Sequence, residues 1–421
     1  MKRLLTILFL LSLFTNINAQ FDTEHWFAPM ADASNGSEAQ QYIYVSTNES
    51  TPFKVDIYNN NVIIGTINNL SKGSPQKFYI PREYIITSNN TEINAKATLG
   101  LHLVGEKKFF ANLRFSVFNH AEILTSKGKS ALGKKFYIGM GEQYLNRSEN
   151  TNRILNAMIG VIATEDKTTI TLSDYDPNVI FSDESTDDSK TISLNKGESY
   201  IFEAKISSSL NPNLSGLIGA QLDADKPISV TNGNFLSLAE NEGNVDILMD
   251  QSVPIERIGT EYVVLKGNGT ANGLTNGYTE KSLVIATEDN TEVYVNGANT
   301  PITTLSKGQF YFIRGNFYNP SGNIYNLYIK STKPIYVYQF LGGTDGTGRT
   351  SEFATGGFNF IPALSCYLPN SIDEIGFVSE MPYRSNFENY YNTKLNIITE
   401  KGATVSINGT PINSSYGPFA L

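Results

Sequence analysis

Cysteine, histidine and tryptophan are nearly absent from the 421-residue sequence. The single cysteine, Cys366, has no partner for a disulfide within the chain, so stability must come from packed cores. Its apolar context, FIPALSCYLP, favours a buried and inert thiol. A Ser-His-Asp or zinc site would have to draw on His25, His102 or His120, whose contexts favour strand positions and aromatic packing. We therefore expect no enzyme activity.

Charged side chains are also scarce. They make up 17% of the residues, below the roughly 25% that is usual for globular proteins, and the formal net charge is −9. The sequence has no basic cluster, which argues against a nucleic-acid surface. Helical spacing of apolar residues is missing too, whereas 24 Phe, 23 Tyr and 34 Gly favour strands and turns. The composition predicts an all-β protein.

Long apolar runs are missing except at the start of the chain. Lys2 and Arg3 precede an apolar run from Leu4 to Phe14, and a polar stretch then leads to Ala19. This order predicts a secretory signal peptide cleaved after Ala19, because a buried N-terminal helix would not need a charged start and a small residue before the cut. No later segment is long and apolar enough to span a membrane. We expect an extracellular or outer-cell-surface protein.

One phrase is present in three copies. They are VIATEDKTTITLS, VIATEDNTEVYVNG and NIITEKGATVSINGT, at residues 161–173, 284–297 and 396–410. Apolar residues alternate in each copy, which is typical of a half-buried strand, and the T-E-D/K-x segment before the strand indicates a turn. The alternating residues are Ile170, Leu172, Val293, Val295, Val405 and Ile407. Asn296-Gly297 and Asn408-Gly409 then predict type I′ hairpin turns.

Other landmarks recur in the same order, and their spacing is that of whole domains. L-x-K-G ends at Gly73, Gly197 and Gly308, which are 124 and 111 residues apart. K-P-I-x-V begins at Lys226 and Lys333, with the proline expected at the first residue of a strand. Solenoid and propeller units recur at roughly 20–50 residues. We therefore predict tandem β-sandwich-like repeats of about 110–125 residues, with a β-propeller as the alternative.

The landmarks divide the chain into five parts. The predicted parts are a signal peptide at 1–19, a first repeat at 20–150, a second at 151–277, a third at 278–392 and the start of a fourth at 393–421. The fourth copy stops in mid-pattern at Leu421, so we expect the sequence to be truncated.

An acidic segment, SDYDPNVIFSDESTDDSK, replaces the Asn-Gly turn in the second copy. The alternation Asp174-x-Asp176-x-Asn178 is typical of calcium-binding loops, although the glycine and the final glutamate of an EF-hand are missing. A solvated insertion is the simpler interpretation. The candidate calcium ligands are Asp174, Asp176, Asn178, Asp183 and Asp187. No other cofactor is expected.

Together the landmarks resemble the IgGFc-binding protein N-terminal domain family, especially its copies in large exported proteins of Bacteroidetes-type bacteria. The resemblance rests on the order of EHWF (24–27), A-T-E-D-x-T, L-x-K-G, K-P-I-x-V and MDQSVPIERIGTEYVV (249–264). Such proteins often carry a C-terminal module for type IX secretion, associated with gliding motility, and none is visible here. The resemblance implies no catalytic residues, and it does not imply antibody binding.

The sequence therefore favours an exported, non-enzymatic adhesion or interaction protein that binds an extracellular glycoprotein or polysaccharide. The first alternative is a calcium-dependent carbohydrate-binding module that uses the acidic segment. The second is a glycan hydrolase, although no pair of carboxylates stands out in the sequence.

Overall fold

β-strands make up most of the regular structure in the computed structural model. It describes residues 20–32, 40–117, 120–141, 156–205, 212–237, 246–267, 280–321, 324–342, 356–365, 368, 376–377, 380–383, 387–390 and 395–412. Helices within these ranges are short: one α-helical turn, Pro212–Ser215, and four 3-10 turns, Arg82–Tyr84, Gly128–Ala131, Ile255–Arg257 and Gly315–Phe317. The predicted all-β class is confirmed.

The strands fall into three successive groups and a C-terminal remainder. The first group is β1 (Asp22–Phe27), β2 (Met30–Ala31), β3 (Gln41–Ser46), β4 (Phe53–Asn59), β5 (Val62–Leu70), β6 (Gln76–Tyr79), β7 (Ile86–Thr87), β8 (Lys96–Ala97), β9 (Leu101–Val117) and β10 (His120–Thr125). The second is β11 (Gly133–Tyr137), β12 (Ala157–Ala163), β13 (Thr168–Ser173), β14 (Lys190–Leu194), β15 (Ser199–Ala204), β16 (Gln221–Ser237) and β17 (Asp246–Gln251). The third is β18 (Gly259–Leu265), β19 (Lys281–Ala286), β20 (Thr291–Val295), β21 (Thr303–Leu305), β22 (Phe310–Arg314), β23 (Asn319–Ser321), β24 (Ile324–Gly342) and β25 (Gly356–Phe360). The remainder is β26 (Glu380–Tyr383), β27 (Phe387–Tyr390), β28 (Ser406–Ile407) and β29 (Thr410–Pro411).

The three groups share one topology. Their main sheets have the strand orders β5-β4-β9-β3-β6, β14-β13-β16-β12-β15 and β21-β20-β24-β19-β22. The long strand at the centre of each order also pairs with a leading strand (β1, β11 or β18) and with a trailing strand (β10, β17 or β25). The equivalence of seven strands in each group confirms tandem β-sandwich-like repeats.

Each long strand passes through both layers of its sandwich. The first part of β9 pairs with β1 and β4, and its second part pairs with β3 and β10. In β16 the change of partners falls at Pro227, because β13 pairs as far as Ala224 and β12 pairs from Ile228. The prediction that this proline begins a strand is therefore wrong. Pro227 lies between the part of β16 that pairs with β13 and the part that pairs with β12, and its missing N–H is tolerated there.

The predicted strand alternation and turns are largely confirmed. Ile170, Leu172 and Val293 are fully buried, and Val295 is nearly so. Asn296, Gly297, Asn408 and Gly409 all have positive φ, as a type I′ turn requires, and the three L-x-K-G glycines also have φ between 76° and 82°. Ile407 is 50% exposed, because β28 pairs only with β29 among the described residues.

Successive repeats are joined by buried apolar surface. One core cluster contains Phe136 and Val161 of the second repeat together with Leu283 and Tyr338 of the third. Another combines first-repeat residues such as Leu113 with side chains of the second repeat, including Met158, Ile201, Phe235, Ile247 and Met249. Strand β8 also pairs with the edge strand β15. The repeats therefore share cores.

A buried ion pair crosses the same joints. Lys127 of the first repeat donates from Nζ to Oδ1 of Asp250 at 2.8 Å and to the carbonyl of Gln251 at 2.8 Å. The other carboxylate oxygen of Asp250 accepts the backbone N–H of Phe360, in the third repeat, at 2.7 Å. Lys127 is 8% exposed and Asp250 is 4% exposed. One carboxylate thus connects three repeats.

The predicted domain boundaries lie outside the described residues, in 142–155, 268–279 and 391–394, as does the predicted signal peptide. The second main sheet takes its leading strand β11 from before residue 151, and the third takes β18 from before residue 278. Apart from β8, which pairs with β15, the paired strands of these two sheets therefore run from Gly133 to Gln251 and from Gly259 to Phe360.

Candidate functional site

The acidic connection between β13 and β14, residues 174–189, is the feature of the second repeat that differs most from its counterparts. The corresponding β4–β5 turn consists of Asn60 and Asn61 alone. Tyr175, Val179 and Phe181 of the connection are buried in the core, and the side chain of Asn213 bonds both backbone groups of Ile180. The connection is therefore a packed part of the domain that presents acidic side chains.

The predicted calcium ligands lie in this connection, where they contact other protein groups. Asp176 Oδ1 accepts the backbone and side-chain N–H groups of Asn178, both at 2.9 Å. Asp174 lies 3.2 Å from Lys307 Nζ of the third repeat. The backbone carbonyl of Asp187 accepts the hydroxyl of Tyr175.

Asp183 has the strongest set of contacts among these acids. Burial disfavours its ionised form, but hydrogen bonds from Ser185 and Lys190 outweigh burial and lower its pKa. The Lys190 ammonium lies 2.9 Å from the carboxylate and is itself buried. Asp183 therefore stays ionised and ordered at neutral pH.

The described residues contain no group of three or more His, Cys, Asp or Glu side chains placed to hold a metal ion. The structure therefore does not bring the five predicted ligands together around one point. What it does show is an exposed acidic surface, on which Asp174, Asp183 and Glu184 pair with lysines while Asp187 and Asp188 form no salt bridge within the described residues. Such a surface is suited to contacts with cationic groups of a partner.

Calcium at about 1 mM, the range of extracellular calcium modules, should leave the melting temperature unchanged within about 1 °C. The reason is that Lys307, Lys190 and Lys205 already neutralise Asp174, Asp183 and Glu184. Differential scanning fluorimetry with calcium and with chelator measures this. A rise of several degrees that is lost in Asp183→Asn would establish the calcium interpretation instead.

The three histidines are placed as the sequence suggested. His102 lies in β9 with its ring stacked on Trp26 at 3.7 Å between centroids, and it bonds Glu24 Oε1 at 2.8 Å. His120 lies at the start of β10, 3.4 Å from Asp246. His25 Nε2 lies 2.9 Å from the carbonyl of Phe109, so this nitrogen must donate.

Among the described residues, His25 forms a serine contact that resembles part of a catalytic triad. Its Nδ1 accepts from Ser126 Oγ at 2.9 Å, but His25 is 0% exposed and Ser126 is 1% exposed. No substrate could reach this pair without unfolding the joint. The contact instead helps to anchor the leading strand β1 to the residues after β10.

His25 should make the protein sensitive to acid. Burial lowers its pKa to about 4, from an ordinary value of 6.5. Between these values the unfolded chain binds a proton that the folded chain does not, so stability falls as the pH falls from 6.5 to 4, by up to about 3 kcal/mol. Chemical denaturation at several pH values measures this loss. In His25→Gln the loss over the same window should be smaller by that amount, and an identical pH profile would refute the assignment.

Cys366, which the sequence predicts to be a buried thiol, lies outside the described residues. None of the helices in the described ranges is long and apolar enough to cross a membrane. Sequence patterns could not predict the Lys127–Asp250 and Arg114–Glu380 contacts, because each joins residues more than 120 positions apart.

Comparison with known proteins identifies the family. The sequence model of the IgGFc binding protein family matches residues 122–420, which include the second and third repeats and the start of the fourth. No curated protein and no solved structure matches the chain. Because the match covers well over half of the sequence, the chain belongs to the IgGFc binding protein family.

Proposed function

We propose that this chain is an exported, non-enzymatic interaction protein that binds an extracellular glycoprotein or polysaccharide through the loops of its tandem β repeats. Membership of the IgGFc binding protein family supports an extracellular binding role. Export would use the N-terminal signal peptide, and the type IX pathway of gliding bacteria is the route that the resemblance suggests.

The observation that carries the proposal is the joining of the repeats through buried surface and the Lys127–Asp250 pair. Domains joined by flexible linkers lose affinity when several of them must bind one target, because their relative positions must first be fixed. Here the relative positions are set by packing. Loops of neighbouring repeats can therefore contact one large target together.

The charge of the acidic connection favours one partner class over the other. Its exposed carboxylates and the net charge of −9 would repel a sulfated or carboxylated polysaccharide. A glycoprotein with basic surface groups would be attracted to them. We therefore place a glycoprotein first and a neutral polysaccharide second.

A binding assay tests the proposal. Purified chain is immobilised and exposed to mucin, neutral polysaccharide and immunoglobulin Fc at low and high salt. A variant carrying Asp187→Asn and Asp188→Asn should bind at least tenfold more weakly than a control variant carrying Glu288→Gln and Asp289→Asn, which changes two exposed acids of the third repeat. Failure to bind any ligand, together with hydrolysis of a glycan, would overturn the proposal.

A further inference from the structure

The sandwich layer that contains β3, β12 or β19 has an outer face at an equivalent position in all three repeats. The equivalence follows from strand pairing. The residue three positions after each L-x-K-G glycine, Gln76, Tyr200 or Tyr311, pairs with Val45, Val161 or Val284, respectively. The neighbouring residues Tyr44, Gly160 and Leu283 are therefore equivalent. They point away from the core of their own sandwich, and we call this side the outer face.

In the second repeat, the first repeat covers the outer face. A Cβ atom on Gly160 would lie 1.9 Å from the carbonyl oxygen of Pro29, so the two backbones are in direct contact. Met158 packs with Met30 and Ala31, which follow the leading strand β1. The covering element is therefore the stretch that comes directly after a leading strand.

In the third repeat, the second repeat covers the outer face in the same way. Gly139, which follows the leading strand β11, lies against the ring of Tyr338. Leu283 and Ile285 share a core with Ile138 and Met140. Two successive joints thus follow one rule, in which the leading segment of a repeat covers the outer face of the next.

On the first repeat, Gly376, Phe377 and Glu380 cover the outer face. Arg114, which is 3% exposed, donates from its guanidinium to the carbonyl oxygens of Gly376, Phe377 and Glu380 at 3.0, 2.5 and 2.7 Å. The guanidinium also lies 4.0 Å above the ring of Tyr44.

The side chain of Glu380 adds a second set of contacts. Its Oε1 accepts the hydroxyl of Tyr44 at 2.6 Å and the ammonium of Lys77 at 2.7 Å. Glu380 is only 6% exposed. The ring of Phe377 meets Tyr44 edge-on at 5.5 Å between centroids. Because a buried carboxylate needs partners of this kind, the contact is specific in its chemistry.

The sequence at Gly376 also matches the start of a leading strand. Gly376 follows Ile375 just as Gly133 follows Leu132 and Gly259 follows Ile258, and those two glycines begin β11 and β18. Strand β26, Glu380–Tyr383, lies against β9. The segment that covers the first repeat is thus the leading segment of a fourth.

We propose that the repeats close on themselves. The start of the fourth repeat covers, on the first repeat, the same outer face that the preceding repeat covers on the second and third, and it does so with the first residues of its leading segment. In a solenoid each unit contacts only its neighbours in sequence, so a separate capping unit must cover the outer face of the first unit. In this chain Arg114 contacts a residue 262 positions away, and the start of the fourth repeat fits the face that a cap would cover.

Charge reversal at Glu380 tests the closure. In the full chain, Glu380→Lys should release residues 376–383 and raise the hydrogen-exchange rates of their amides at least tenfold, because the new ammonium meets Lys77. The double variant Lys77→Glu with Glu380→Lys should restore protection. The matched control is Glu165→Lys, at an exposed acid that makes no such contact. A merely damaged fold would not recover on the second substitution.

Two results would overturn the proposal. One is exchange of residues 376–383 in the unchanged chain at the rate of a free peptide. The other is protection that disappears on dilution into the range where light scattering shows only monomer, because the contact would then join two copies. Protection that is independent of concentration and rescued by the double variant supports closure within one chain.

Discussion

Asp250→Ala should lower the free energy of unfolding by about 3–5 kcal/mol, because it leaves the ammonium of Lys127 buried without its carboxylate. The same change removes the acceptor for the backbone N–H of Phe360 and separates the trailing strands β17 and β25. Urea denaturation measures the loss. The large effect is expected because the Asp250 carboxylate, in the second repeat, forms hydrogen bonds to residues of both the first and the third repeat.

The control for this prediction is Glu165→Ala, which removes an exposed carboxylate of the same repeat and should cost less than about 0.5 kcal/mol. Adding Lys127→Met to Asp250→Ala should recover part of the stability, since no charge then remains buried alone. A double variant as unstable as the sum of the two single variants would show that the pair is not the reason for the effect.

Gly219→Ala should destabilise the joint between the second and third repeats by about 3 kcal/mol or more. Two costs add. Its φ of +82° costs an L-residue about 1 kcal/mol, and its Cβ would lie 1.8 Å from the carbonyl oxygen of Gly308, which forces the backbones of two repeats apart. Chemical denaturation measures the change in unfolding free energy.

Gly73→Ala provides a matched comparison. Gly73 has a similar φ of +76°, but no atom lies within 4 Å of its Cβ position. Its substitution should therefore cost only the conformational term of about 1 kcal/mol. If the two variants were equally destabilised, the close contact between Gly219 and Gly308 would have no part in holding the repeats together.

Local features of the fold could be predicted from the sequence, because they depend on neighbouring residues. The alternation of Ile170 and Leu172 and the positive φ at Asn296 and Gly297 follow from side-chain chemistry within a few positions. Fold class and repeat length followed from counting these local patterns.

Features that join distant residues could not be predicted in this way. Pro227 has the local pattern of a strand start, yet tertiary pairing carries one strand through it, because the ladder changes sides there. The acids of the 174–189 connection were interpreted first as a solvated insertion and second as calcium ligands, and neither interpretation identified the pairing of Asp174 with Lys307 of the third repeat.

The position of the leading strands limits how this protein can be divided or recombined. A fragment cut at residue 151 would lose β11, and the first half of β16 would expose its unpaired backbone groups on that side. Exchange of repeats between related genes would preserve intact sheets only if the crossover fell before Gly133 or before Gly259. Each sheet therefore begins at its leading strand, before the position where the repeated phrases begin.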